Sequence, residues 1–131
     1  MPVSYMLEGA LLRLDLEGEY EPKDIIRQFL AGLGDPGCPE KVALLVDATR
    51  STSLEKRAPE EIGRVAEFLG AYVERIGGRC AVVASSDVHF GMSRMGSVFS
   101  AGVGVDAQVF RDPDAALAWL GVGSEVRKDS L

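Results

Sequence analysis

The chain lacks any run near the about eighteen consecutive apolar residues that a membrane-spanning helix needs, so no span is expected among its 131 residues. Histidine is nearly absent, with His89 standing alone. The two cysteines, Cys38 in a Pro/Gly loop and Cys80 in an apolar run, have neither metal-ligand nor redox spacing. Both read as free thiols of a reducing compartment, and no metal or cofactor is expected. Positive charge is also scarce: 14 Lys and Arg against 20 Asp and Glu leave a formal charge of −6. That balance disfavours the phosphate backbone of nucleic acids and anionic membrane surfaces. The opening MPVSYMLEGALLRLDL lacks the basic segment and cleavage site of a signal peptide, and a cytoplasmic location is expected.

Catalytic motifs are missing too. There is no GxGxxG opening a helix, no GxxxxGK[ST], no GxSxG and no HExxH. A nucleophilic triad has little to build on, because His89 lies four residues beyond Ser85 at the same expected helix start, where base and nucleophile do not face each other. No catalytic residue is assigned, and the chain is expected not to be an enzyme.

What is present is a globular composition, 47% hydrophobic and 26% charged, in a chain of ordinary single-domain length. Residues 1–121 are expected to form one domain and residues 122–131 a frayed tail. Val3, Tyr5 and Leu7 alternate with polar neighbours, Glu8-Gly9 turns the chain, and Leu12, Leu14 and Leu16 alternate again, which predicts a hairpin. Pro22 opens a helix whose apolar face carries Ile25, Ile26, Phe29, Leu30 and Leu33, with Gly34 ending it. Val42 to Val46 is apolar without alternation, as in a strand covered on both faces, and Asp47 is placed at its carboxyl end. After a polar loop from Thr49 to Arg57, Pro59 starts a second helix whose periodicity runs through Ile76 to Gly77-Gly78. Cys80 to Ala84 reads as a strand, Ser85 to Phe99 as a glycine-containing third helix, and Val105 to Phe110 as the last strand. Asp112-Pro113 then caps a short helix ending at Gly121. The order ββαβαβαβα predicts an α/β fold with a mixed, mostly parallel sheet whose first strand is antiparallel.

In open α/β sheets ligands gather beyond the carboxyl ends of the strands, and the polar candidates fall there. Asp47, Arg50, Ser51 and Ser53 put a carboxylate, a cation and hydroxyls near one sheet edge, suited to phosphorylation or a polar ligand; a solvated loop has the same composition. Ser85 and Ser86 precede a helix, where backbone N–H groups bind anions, although N-capping explains them more economically. Arg94 and Arg111 would complete an anion site if the fold brings them together. Phe90, Met92, Met95 and Phe99 share one helix with Gly91 and Gly96, and Gly102 and Gly104 follow it, which suits either a movable lid over an apolar ligand or plain core packing.

The segments LLRLDLEGEYEP, KVALLVDATR, RCAVVAS and DAQVFRDPDAALAWL together resemble the SpoIIAA-like group, related to STAS and SEC14-type domains, over roughly residues 10 to 121. The Asp placed after a buried strand at Asp47 and the ending VFRDPDAALAWL carry the resemblance best. It implies a STAS-like fold and a bacterial, non-catalytic regulatory module that binds protein, as anti-sigma-factor antagonists do under phosphorylation control. The alternative is a SEC14-like carrier of a small hydrophobic ligand or lipid. The antagonists' Asp-Ser-[Ser/Thr]-Gly signature is absent, with Ser51-Thr52-Ser53-Leu54 standing nearby instead. The expected partner is therefore a protein or a small apolar ligand. A homodimer through the hairpin edge strand is also open.

Overall fold

Gly9 adopts φ +60° while no described non-glycine residue has positive φ, so Gly9-Ala10 forms a turn of type II′, whose twist matches that of the flanking strands. It joins β1 (Val3–Glu8) to β2 (Leu11–Gly18) in an unbroken antiparallel register from Val3 opposite Leu16 to Glu8 opposite Leu11. The turn thus falls one residue later than the expected Glu8-Gly9. The computed structural model describes residues 3–51, 59–84, 102 and 104–121.

From β2 the chain enters α1 (Pro22–Leu33), where Pro22 occupies the first turn and the Asp24 carboxylate accepts from the Glu21 backbone N–H at 2.9 Å. There follow β3 (Ala43–Ser51), α2 (Pro59–Gly70), β4 (Arg79–Val83), β5 (Asp106–Phe110) and α3 (Pro113–Leu120). The strands form one sheet in the order β1-β2-β3-β4-β5, with β2 to β5 mutually parallel and β1 antiparallel at its edge. This is the mixed, mostly parallel α/β sheet expected from the sequence. The expected helix over Ser85 to Phe99 and the tail over 122–131 lie outside the described residues.

Helices cover both faces. Under α1 and α2 lie Leu12, Leu14, Leu44 and Cys80 with Phe29, Leu33, Leu69 and Ile76. Phe29 meets both Phe68 and Tyr72 edge-on, at 5.8 and 5.5 Å between ring centroids, the geometry that the aromatic quadrupole favours. On the other face, Ala116 and Leu120 of α3 pack on Leu11, Leu45, Ala81 and Val83. Asp112 accepts the Asp114 N–H to cap α3, and Gly121 ends it at φ +82°, a conformation that glycine reaches without steric cost. No helix among the described residues is long and apolar enough to cross a membrane.

Two boundaries differ from the sequence expectation. The second helix ends at Gly70 instead of running to Ile76. Beyond it, Ala71, Tyr72 and Val73 bond to carbonyls three residues back, the tighter winding that follows a poor helix former such as glycine. Val73 and Ile76 still pack into the core, so the apolar period continues beyond Gly70 and only the backbone geometry changes. The third strand runs on past Asp47 to Ser51. Its pairing to β2 slips between Asp15 and Glu17, so that Glu17 faces Arg50 and Gly18 faces Ser51. Beyond this irregularity Arg50 and Ser51 rejoin the ladder, while Thr49 lies within the strand but has no register partner on β2; the sequence predicts a loop here.

Candidate functional site

The parallel register of β2 and β3 places Asp15 directly beside Asp47. Both are largely buried, at 9% and 7% exposure, an arrangement that like charge and desolvation oppose. Arg13 resolves the conflict. Two residues before Asp15, it shares that residue's face of β2. Its Nε donates to Asp15 Oδ1 at 2.9 Å and its Nη2 to Asp47 Oδ2 at 2.8 Å. The planar guanidinium fork suits this two-point clamp, which a lysine ammonium would not reproduce. Burial alone would lower the Arg13 pKa, but the hydrogen bond to Asp15 and the charges of Asp15, Asp47 and Glu8 outweigh it and hold it above its ordinary value.

The second oxygen of Asp47 is occupied as well. Asp47 Oδ1 accepts the Thr49 backbone N–H at 2.9 Å and the Thr49 hydroxyl at 2.6 Å. Arg50 approaches from the strand end, with Nη2 3.8 Å from Asp15 Oδ1 and Nη1 3.9 Å from Glu17 Oε2. Those separations are ion pairs without hydrogen bonds. Its side chain is 57% exposed. On the neighbouring strand β1 the residue opposite Arg13 is Met6, 50% exposed. The face at β1 and β2 therefore presents an apolar side chain beside the ion network, whereas α3 sits on Leu11 at the start of β2 and on Leu45, Ala81 and Val83 farther along the sheet.

Among the sequence candidates, Asp47 and Arg50 thus lie in one network, joined through Asp15. Ser51, one residue beyond Arg50, turns to the opposite face; it is 4% exposed and its buried Oγ has no hydrogen-bond partner among the described residues. A kinase would reach this hydroxyl only after the end of β3 opened. Arg111 is exposed just after β5. Ser53, Ser85, Ser86, Arg94, Phe90, Met92, Met95 and Phe99 lie outside the described residues. Among the described residues no group of three or more His, Cys, Asp or Glu side chains is arranged to hold a metal ion.

Arg13 and Asp15 escaped the sequence reading because LLRLDLEG alternates cleanly, and polar positions in such a strand read as the solvent face. The available signal was the placement of β2 next to a buried strand that itself carries an aspartate: two aspartates and an arginine on adjacent strands have to be matched to one another.

Neither a family model nor a curated protein matches the chain. Among solved structures it is similar to an uncharacterized protein of the DUF3478 family with a SpoIIAA-like fold, from Shewanella loihica PV-4. The two share 18% sequence identity at a TM-score of 0.56, over 90% of this chain and 91% of the other. With the strand order and helix placement above, that likeness makes the fold of this chain SpoIIAA-like.

Proposed function

We propose that this protein is a non-catalytic regulatory module that binds another protein through the sheet face around Met6, Arg13 and Arg50. The observation that carries the reading is the state of Asp47. Both its oxygens already accept strong hydrogen bonds, from Arg13 and Thr49, and a carboxylate so engaged is badly placed to take a proton or attack a substrate. The same bonds make it a good anchor for a rigid recognition surface. An exposed methionine opposite Arg13, on the edge strand beside the ion network, resembles an apolar contact point next to the polar groups of a protein interface. The SpoIIAA-like fold is compatible with this role, by analogy with anti-sigma-factor antagonists. The module would comprise residues 1–121 and act in the cytoplasm, with Ser53 as its phosphorylation candidate because Ser51 is buried. The alternative is a carrier of a small hydrophobic ligand, which rests on Phe90, Met92, Met95 and Phe99.

The test is photo-crosslinking from position 6 in lysate of the source cells, with and without Arg50→Glu. A discrete crosslinked protein that disappears on Arg50→Glu supports the reading. An unchanged crosslinking pattern, or turnover of any substrate that Asp47→Ala abolishes while the fold is retained, contradicts it.

A further inference from the structure

β1 is an edge of the sheet among the described residues, and the hairpin geometry fixes which of its backbone groups face outward. Across a two-residue type II′ turn the closing pair, Glu8 and Leu11, exchanges both hydrogen bonds, and alternate pairs repeat the pattern. Glu8, Met6 and Ser4 therefore bond to β2, opposite Leu11, Arg13 and Asp15. Val3, Tyr5 and Leu7 point their N–H and C=O groups away from the sheet.

Natural edge strands carry proline, lysine, bulges or inward charges that block further pairing. Val3–Glu8 reads VSYMLE, with an unbroken register and no charge before its last residue. We propose that β1 pairs antiparallel with β1 of a second copy of this chain, joining two five-stranded sheets into one. The occupant follows from self-complementarity. With Tyr5 opposite the partner's Tyr5, Val3 falls opposite the partner's Leu7. All the outward donors and acceptors of the three residues are then satisfied by one another. Shifting the register by two residues leaves Val3 opposite the turn in one direction and Leu7 opposite a position before the start of the strand in the other. In the favoured register Met6, 50% exposed, lies opposite the partner's Ser4, a small residue that leaves room for it. The two Glu8 carboxylates sit at opposite ends of the junction, about 20 Å apart at the usual rise per residue, so the one charge of the strand does not oppose pairing. This inference is independent of the proposed partner protein.

Native mass spectrometry and amide exchange followed by NMR, both on the full chain, test it together. The expected result is a dimer in which the Tyr5 and Leu7 amides are protected as strongly as those of Met6 and Glu8. Leu7→Pro removes an outward donor without touching the bonds to β2 and is expected to give a monomer. Gln108→Lys, on the exposed side of β5 at the other edge, is expected to leave the dimer intact. A wild-type monomer at NMR concentrations overturns the proposal. So does a dimer whose Tyr5 and Leu7 amides exchange at unprotected rates, and that readout holds even if Leu7→Pro fails to fold.

Discussion

Asp15 and Asp47 stand side by side on adjacent parallel strands, both largely buried, and a single guanidinium, that of Arg13, bonds to each of them. The arrangement is asymmetric in energy. Removing one acid relieves like-charge repulsion, whereas removing the arginine strands two carboxylates in a poorly solvated place.

Arg13→Ala is accordingly expected to destabilise the fold by about 2 kcal/mol. This lies below the 3–5 kcal/mol typical of breaking a fully buried pair, because the Arg13 side chain keeps 33% of its exposure and solvent screens it. Asp15→Asn keeps an acceptor for Arg13 Nε and is expected to cost less than about 1 kcal/mol. Urea denaturation of the two variants gives the comparison, and Arg13→Lys should fall with Arg13→Ala because it lacks the fork.

Gly32 of α1 and Gly63 of α2 should respond to alanine with opposite signs. A Cβ on Gly32 would come within 2.6 Å of Leu12 Cδ1, a fully buried side chain, while one on Gly63 meets nothing within 4 Å. Alanine gains about 1 kcal/mol over glycine in a helix, but overpacking costs about 1–3 kcal/mol. Thermal melts should show Gly32→Ala destabilised and Gly63→Ala stabilised.

The Tyr5 hydroxyl donates to Asp35 Oδ2 at 2.8 Å, tying β1 to the loop after α1. The Gly37 backbone N–H, and then Tyr5, hold the Asp35 pKa below its ordinary value, while the bond to Asp35 raises that of Tyr5. A lowered carboxyl pKa gives stability that is present above the unfolded value and lost as pH falls through the folded one. A raised phenol pKa gives stability that is present below the unfolded value and lost as pH rises through the folded one. Tyr5→Phe should therefore lower the melting temperature most at neutral pH, with the difference from wild type shrinking at both the acid and the alkaline end of a pH series.

Arg79 closes the carboxyl end of α3. Its Nη1 donates to the Trp119 carbonyl at 2.8 Å, and its guanidinium lies 5.3 Å from the centre of the Trp119 ring. A cation at a helix C-terminus and a cation over an aromatic face each contribute about 0.5–1 kcal/mol at exposed sites. Arg79→Ala should cost about 1 kcal/mol and red-shift the emission of Trp119, the one tryptophan of the chain. An unchanged spectrum would mean that the contact does not hold the ring.

Much of this architecture is legible in the residues. The hairpin follows from two alternating runs around Gly9, α1 from its apolar stripe after Pro22, and α3 from Asp112-Pro113 and Gly121, because each signal is local. The end of β3 was not legible. Thr49 to Ser51 are polar residues suited to a loop, and the strand continues through them because Arg50 and Ser51 pair with Glu17 and Gly18 after the register slip. The site was half legible for the same reason. Asp47 stands out after an apolar run, but its partners Arg13 and Asp15 belong to another strand, and nothing in the local sequence gives the register that joins them.

The most direct test of Asp47 as a structural anchor is a double-mutant cycle between Arg13→Ala and Asp47→Asn, measured by urea denaturation. A charge-assisted hydrogen bond in this setting is expected to give a coupling of about 1.5–3 kcal/mol, with the double variant more stable than the sum of the single losses allows. A coupling near zero would mean that Asp47 is not held by Arg13, and its carboxylate would again be open to a chemical role.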